Sequence, residues 1–297
     1  MYHNPVLLKK SVDDLVTNPS GIYVDVTFGG GGHSREILEK LSPKGKLYSF
    51  DQDLDALKNT IEDERFTLIN QNFRFLENSL MAFGISKVDG VLADLGVSSH
   101  QFDEAKRGFS TRSNAPLDMR MNVMQNLDAK KVINEYEEDQ IADLLYYYGE
   151  LRDGRKLARE IVRVRKTKLI ETTDDLKSIF SFIPAFKQNK FFAQVFQAIR
   201  IEVNQELEAL KEMLVQSHRI LKPNGRLVVI SYHSLEDRLV KRFLKNGMFE
   251  GEPARDIYGN FPKTFDLLQT KAIIPDEAEI TENSRARSAK MRVGIKL

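Results

Sequence analysis

With 297 residues, 41% hydrophobic and 29% charged, and a formal net charge of +1, the chain has the make-up of a globular protein of one or two domains. The near-zero charge excludes a globally basic polyanion binder and confines any nucleic-acid surface to a local patch. The absence of cysteine excludes disulfides, thiolate metal sites and cysteine nucleophiles, and fits a reducing compartment.

Gly21–Thr27 reads as a short apolar strand that runs into four glycines, Gly29–Gly32. Ser34–Leu41 follows as a helix, closed by Pro43 and Gly45. Lys46–Phe50 is a second strand, ending at Asp51, and Leu54–Ile61 is helical. Phe66–Ile69 is a third strand, and Phe75–Phe83 a helix with Gly84 as its stop. Val88–Ala93 is a fourth strand, ending at Asp94. Strands alternating with short helices predict βαβ units and a parallel sheet. Beyond about Gln101 the pattern changes. Gly108–Met121 reads as an ordered loop, and Val132–Tyr136, Gln140–Tyr148, Arg155–Arg165 and Thr173–Phe180 as helices, with no convincing strand among them. Then Asn204–Leu221 is a long amphipathic helix, Lys222–Gly225 a turn and Arg226–Ser231 a fifth strand. The expectation is one α/β domain, residues 1–104 and 201–297, interrupted by an all-helical insertion over residues 105–200.

No apolar run approaches the ~18 residues of a membrane span. Met1–Asp14 lacks the basic-then-apolar order of a secretion signal, so a cytoplasmic protein is expected. The five histidines, His3, His33, His100, His218 and His233, show no metal-ligand spacing, and no metal is expected.

In an open parallel sheet, ligands bind beyond the carboxyl ends of the strands, where strand order reverses. Glycines after the first strand let backbone approach a ligand. Asp51, about twenty residues further on, can accept from ribose hydroxyls; its alternative role is a helix N-cap. A dinucleotide fingerprint wants a third glycine where this chain has Ser34, which weakens a nicotinamide reading. A nucleoside without phosphates still needs the tight turn and the ribose carboxylate, and S-adenosylmethionine fits that description. Phe73, past the third strand, can pack on adenine or simply in the core.

Eight segments, in order, carry a resemblance: Asn4–Leu8, Asp25–Ser34, Asp94–Gln101, Arg107–Ser110, Pro116–Met121, Phe196–Asn204, Ser231–Arg238 and Ser284–Lys290. With them the chain resembles the bacterial MraW family, the small-subunit ribosomal RNA methyltransferases H, over nearly its whole length. The resemblance implies a Rossmann-like S-adenosylmethionine methyltransferase domain with a helical insertion. It further implies methylation of the exocyclic N4 amine of a cytidine in 16S ribosomal RNA, near the decoding centre. The implied cofactor contacts are Gly31, Gly32, His33, Asp51, Phe73, Asp94 and Gln101. The chain departs from the family in having Lys190-Phe-Phe-Ala193 where a His-Pro pair is common. Its Asp94 segment also differs from the Asn-Pro-Pro-Tyr type of many DNA amino-methyltransferases.

Methyl transfer from a sulfonium is an in-line displacement that needs alignment rather than a metal or covalent nucleophile. The cytosine amine is a poor nucleophile, and acceptors aimed at its N–H groups favour the charge that develops. Asp94, Asp118 and His233 are the catalytic candidates. Asp118 could instead serve a local turn, and the His233 segment could simply start a helix, with Ser234 as N-cap. For RNA, Arg152–Lys168 holds eight basic and two acidic residues, with Arg155, Arg159 and Arg163 on one helical face. Residues 283–297 hold five basic residues and no acidic one, Arg285 and Arg287 among them. Both stretches suit phosphate, and either could be a solvated surface. A flipped base requires a path, which Arg107, Phe109, Arg112 and Arg120 could line. Tyr146–Tyr148 could stack on bases, but helix-core packing is the stronger expectation. The partner implied is 16S ribosomal RNA, free or within the small ribosomal subunit; a homodimer is left open. The alternatives are a methyltransferase acting on another nucleic acid or a protein, a non-catalytic S-adenosylmethionine or RNA binder, and a nicotinamide dehydrogenase.

Overall fold

The β-branched and aromatic runs become strands of one seven-stranded sheet. The structure, a computed structural model, describes residues 5–258 and 260–297; His3, and Asn4 of the first motif, lie outside the described residues. The chain runs α1 (Leu8–Leu15), β1 (Ile22–Asp25), α2 (Gly32–Lys40), β2 (Lys46–Phe50), β3 (Phe66–Ile69), α3 (Leu76–Ala82) and β4 (Val88–Asp94). Six helices follow: α4 (Ser99–Asp103), α5 (Ala129–Glu135), α6 (Glu138–Tyr147), α7 (Gly154–Arg165), α8 (Thr173–Ile179) and α9 (Ala185–Asn204). The chain ends with α10 (Glu206–Ile220), β5 (Leu221–Ser231), α11 (Ser234–Asn246), β6 (Phe265–Leu267), α12 (Glu277–Glu282) and β7 (Lys290–Lys296). Two compact units result, Met1–Gly96 with Leu207–Leu297, and Val97–Glu206.

In the first unit the strand order is β3-β2-β1-β4-β5-β7-β6. β1 pairs in parallel with both β2 and β4, so the order reverses between β1 and β4, where an open sheet binds its ligand. β5 extends the parallel set, and β7 and β6 add to it antiparallel. The central strands are buried on both faces, as parallel strands must be. Val24, Val91, Leu227 and Val229 pack with Leu210, Met213 and Leu214 of α10 on one side. Tyr23, Leu47, Leu92 and Val228 pack with Leu15, Ile37 and Leu38 on the other.

Four expectations change. Leu54–Asn59 is a 3-10 turn, not an α-helix. The Lys222–Gly225 turn sits inside β5 as an irregularity: Val88 pairs with Leu221 and Gly90 with Arg226, so one residue of β4 faces four. α1, β6 and β7 were not expected as elements; β6 is only three residues long, and α1, though amphipathic, is a short eight-residue helix. The longest helix, α9, was also missed. Its buried residues Phe191, Phe192, Val195, Phe196, Ala198 and Ile199 do share one face at helical spacing, but no element was expected between the helix ending at Phe180 and the one starting at Asn204. α9 is the core of the second unit, where it meets Val132, Ile141, Leu145, Leu157 and Ile161. The Lys190–Ala193 departure is thereby explained as packing: Phe180, Phe191 and Phe192 form successive edge-to-face pairs at 5.2 and 5.4 Å.

Candidate active site

The ends of β1, β2 and β4 are tied by one buried polar network. Asp25 is fully buried, and burial raises its pKa against the opposing pull of its hydrogen bonds. Its Oδ2 accepts from Ser34 Oγ (2.7 Å), which also meets Ser49 Oγ (2.8 Å). Its Oδ1 accepts from Thr27 N (3.1 Å), and Thr27 Oγ1 accepts from the backbone N–H of Asp94 (2.7 Å). A buried polar group without partners would cost several kcal/mol, roughly 2–7; here each is satisfied. Ser34 therefore does what a third glycine could not. It anchors the start of α2 to the strand ends through its hydroxyl rather than by the lack of a side chain.

The glycine run makes the turn between β1 and α2. Gly31 is the N-cap of α2 at φ +76, and a Cβ there would meet the Phe28 ring and Arg35 at 2.9 Å. The left-handed conformation and the close approach both require glycine. Gly32 is constrained differently, since a Cβ would meet Pro5 Cγ at 2.1 Å. Pro5 of the first motif thus holds the loop from behind.

Asp51 leaves the end of β2 and turns to this loop. Its Oδ2 accepts from Gly29 N and its Oδ1 from Asp53 N, each at 2.8 Å. Burial pushes its pKa to about 6, with Asp53 and Asp25 adding repulsion. Each oxygen takes one of these backbone N–H groups and keeps acceptor capacity for a ribose hydroxyl. Glycine backbone, a strand-end carboxylate and a further carboxylate at Asp94 together fit an adenosyl cofactor with a cationic centre. Phe73, just past β3, is half-buried and packs at the edge of the sheet core.

Asp94 ends β4 across the switch point. Its Oδ1 accepts from the Tyr232 hydroxyl (2.7 Å), and its Oδ2 lies 3.8 Å from His33 Nδ1. Burial raises Asp94 to about 7, the Tyr232 hydrogen bond resists the rise, and Asp25 and Glu236 reinforce it. Burial lowers His33 to about 4, so its ring is neutral near pH 7. His33 Nε2 sits 3.2 Å from Val6 O; donating there leaves the Nδ1 lone pair facing Asp94. Tyr232 was missed by the sequence reading. The signal was its place directly after β5, the next strand along from β4.

His233 is itself the N-cap of α11, so the alternative with Ser234 in that position is one residue off. Its Nδ1 accepts from Glu236 N at 3.5 Å, while Glu236 Oε2 accepts from Tyr232 N (2.9 Å) and His233 N (3.3 Å). This reciprocal capping box fixes the strand-to-helix corner.

In the second unit, Gln101 is buried and its Oε1 accepts from Ser98 N (3.0 Å), completing the capping box of α4. Asp118 faces Arg120, with contacts of 2.9 Å to Nε and 2.7 Å to the terminal nitrogen. Burial would raise Asp118, but the Arg120 hydrogen bonds and charge lower it overall. Arg120 also donates to the carbonyls of Val123 and Gln125. Two path-lining expectations are corrected here. Arg107 and Phe109 are buried, at 9% and 6% exposure. Arg107 donates to the carbonyls of Arg120 and Met121, so it braces the loop as Arg120 does. Gly108 (φ +73) lets this loop close, since a Cβ would meet Pro116 O at 2.3 Å. Arg112 stays exposed.

Arg155, Arg159 and Arg163 are exposed on α7, with Arg163 paired to Glu160 (2.8 Å) and Arg159 near Glu138 (3.8 Å). Tyr146 and Tyr147 do not pack inward as expected; both are exposed as a T-shaped pair, and only Tyr148 joins the core. Of the five C-terminal basic residues, Arg292 pairs with Asp237 (2.6 Å) and Lys296 donates to His218 O. Arg287 and Lys290 stay exposed and Arg285 is half-buried. No helix among the described residues is long and apolar enough to cross a membrane.

A mostly parallel sheet with a glycine loop and acidic strand ends at its switch point is the site of a Rossmann-like protein that binds an adenosyl cofactor. The chain matches the MraW methylase family over residues 1–297. It is 61% identical over 297 residues to ribosomal RNA small subunit methyltransferase H of Christiangramia forsetii, covering 100% of this chain and 98% of that one. It is 54% identical over 298 residues to the protein of the same name from Bacteroides fragilis, covering 99% and 97%. A solved putative rRNA methylase from Clostridium thermocellum is similar at 12% identity and TM-score 0.47, covering 100% and 99%, too distant to argue from. The chain belongs to the MraW methylase family.

Proposed function

We propose that this enzyme transfers the methyl group of S-adenosylmethionine to the exocyclic N4 amine of a cytidine in 16S ribosomal RNA near the decoding centre. The observation that carries the reading is Asp94: a carboxylate held by Tyr232 beside the glycine loop, with its pKa at about 7. Such a group can accept an amine N–H and take up the proton released after methylation, and its pKa is close to the working pH, where proton transfer is most effective. The names of the 54–61% identical relatives support the ribosomal RNA substrate.

S-adenosylmethionine supplies the activated methyl group, and the chain's own residues supply alignment. Gly31, Gly32 and the Asp51 carboxylate hold the adenosine. Tyr232 fixes one oxygen of Asp94, leaving the other for the amine. Neutral His33 keeps a second positive charge out of a site meant for a sulfonium. The helical unit is the RNA-recognition part, with Arg155, Arg159 and Arg163 as phosphate contacts and Tyr146 and Tyr147 as stacking surfaces. His233, Arg112 and Arg285 belong to the same proposal as substrate-side residues, and Gln101 as a cofactor contact. A substrate within the small ribosomal subunit implies action in the cytoplasm.

The test is incubation with methyl-labelled S-adenosylmethionine and small ribosomal subunits that lack the modification, followed by nuclease mapping and mass spectrometry. One N4-methylated cytidine is expected, and its loss in Asp94→Ala. Label on a different nucleotide, or on ribosomal protein, overturns the substrate.

A further inference from the structure

Two motifs linked only by order in the sequence, Ser231–Arg238 and Ser284–Lys290, come together in the α/β unit. Asp237 of α11 accepts from Arg292 Nε (2.6 Å), and Lys290 Nζ lies 3.5 Å from the same carboxylate, which clamps α11 to β7. Beside the clamp is a cleft of about 330 Å³, with Tyr232 and Ser234 on one side, Arg287 and Lys290 on another, and Ile274 and Pro275 completing it.

We propose that this cleft is a phosphate-centred subsite for the RNA nucleotide next to the methylated base. The inference rests on the ribosomal RNA reading above and deepens it. Position is the first argument. Tyr232 forms a wall of the cleft and also donates to Asp94, so one side chain separates the cleft from the reacting centre. Charge is the second. The Arg287 guanidinium is exposed and forms no ion pair among the described residues. Of the nearby acids, Asp237 is balanced by Arg292 and Lys290, while Glu236 and Glu279 accept from the backbone N–H groups of Tyr232, His233 and Leu7 and keep their charge near Tyr232. Shape is the third argument. The volume is at the small end of ligand clefts, ~300–1,000 Å³, which suits one nucleotide and not a duplex. Ile274, 66% exposed, offers an apolar face to a sugar or base. An arginine fork beside a lysine is the chemistry that recognises a phosphodiester.

The test measures equilibrium binding of a labelled single-stranded RNA across a salt series, together with methyl transfer to small ribosomal subunits. The full-length proteins are the wild type, Arg287→Gln, Arg287→Lys, Arg287→Gln with Lys290→Gln, and Lys44→Gln as a turn control. Arg287→Gln should weaken RNA binding about tenfold and reduce the slope of log Kd against log salt by about 1. The double variant should lose more, and Arg287→Lys should recover most of the affinity. KM for subunits should rise, while kcat, S-adenosylmethionine affinity and Tm hold; Lys44→Gln should match the wild type. Unchanged RNA affinity and slope overturn the proposal. So does a parallel fall in cofactor affinity and Tm, the mark of a merely structural clamp. Competition by inorganic phosphate or cytidine monophosphate at concentrations too low to screen charge would make the cleft a small-phosphate site and also overturn it. If the wild type methylates no ribosomal RNA, the reading above fails, yet the difference in salt slope still decides the cleft.

Discussion

Asp94 and Asp118 are both aspartates of the shared motifs, and both were catalytic candidates. Their surroundings send them in opposite directions. At the β4 end, burial and two neighbouring carboxylates outweigh one tyrosine hydrogen bond, and Asp94 rises to about 7. In the Arg107–Met121 loop, hydrogen bonds from the Arg120 side chain and backbone, together with the charges of Arg120 and Arg107, outweigh burial, and Asp118 falls. A carboxylate held without a cation in a switch-point site is available for chemistry. One gripped by guanidinium is holding a loop together. Residue type and motif membership nominate both; the local charge balance separates them.

The sharpest way to break this comparison is to neutralise Asp94. Asp94→Asn should lower kcat by roughly 10²–10⁴, the range for a lost proton acceptor, with S-adenosylmethionine still bound. It should also stabilise the ligand-free protein at alkaline pH. The Asp94 pKa is raised on folding, from 3.8 to about 7, so the folded state holds the proton more tightly in that window. Wild-type stability then falls as pH rises from about 4, and the loss is complete above about 7. Asparagine escapes that cost, so thermal melts at pH 8 should favour the variant by on the order of 2 kcal/mol. A variant destabilised at pH 8 would show that Asp94 is structural like Asp118.

Asp51 is the next step down. Asp51→Ala removes the acceptors for Gly29 N and Asp53 N along with the proposed ribose contacts. Its cofactor Kd should rise about 10–100-fold, as for lost hydrogen bonds to a charged group of ~1.5–3 kcal/mol. Saturating cofactor should restore most of kcat. Calorimetric titration with S-adenosylhomocysteine reads this directly; an unchanged Kd would return Asp51 to its other role of ordering the turn.

The same contrast explains what the sequence could and could not reveal. The parallel strands, the glycine loop, Asp51 and Asp94 were legible because each is local: an apolar run, then a turn residue, then an acid. The switch point followed from the alternation of strand and helix. Tyr232 was not legible, since its hydrogen bond to Asp94 spans 138 positions. Nor was the burial of Arg107 and Phe109, because a cation next to an aromatic in a glycine-containing loop looks like a nucleic-acid contact. What makes Arg107 structural is a pair of carbonyls 13 and 14 residues away, which only the folded loop brings within reach. α9 escaped although its buried residues share one face, because the expected elements passed from the helix at Thr173–Phe180 straight to the one at Asn204.

Tyr232→Phe sharpens the comparison by altering the Asp94 environment without removing the acid. The hydroxyl is the one hydrogen bond that holds the Asp94 pKa down. Its loss should move the acid limb of the kcat/KM profile to higher pH, since the ionised carboxylate is the active form. At pH 7 a fall of about tenfold is expected, matching a hydrogen bond to a charged group of ~1.5 kcal/mol. At pH 9 the variant should approach the wild type. A uniform loss at every pH would mean that Tyr232 contacts substrate rather than tuning Asp94.

The smallest effect on activity is expected at Asp118. Asp118→Asn keeps the shape but removes the charge that Arg120 faces, leaving Arg120 with the carbonyls of Val123 and Gln125. Stability should fall by about 1–3 kcal/mol, the cost of breaking a part-buried charged hydrogen bond. Because the Asp118 pKa is depressed on folding, its contribution is present above the ordinary aspartate range and fades as pH drops through its folded value. The stability difference between wild type and Asn should therefore be full at pH 7 and shrink in strong acid, opposite in sign to the trend at Asp94. Methyl transfer measured well below the Tm should change less than threefold, within the scatter expected for a residue outside the chemistry. A kcat loss as large as that of Asp94→Asn, with Tm preserved, would move Asp118 into the reaction and erase the distinction between the two aspartates.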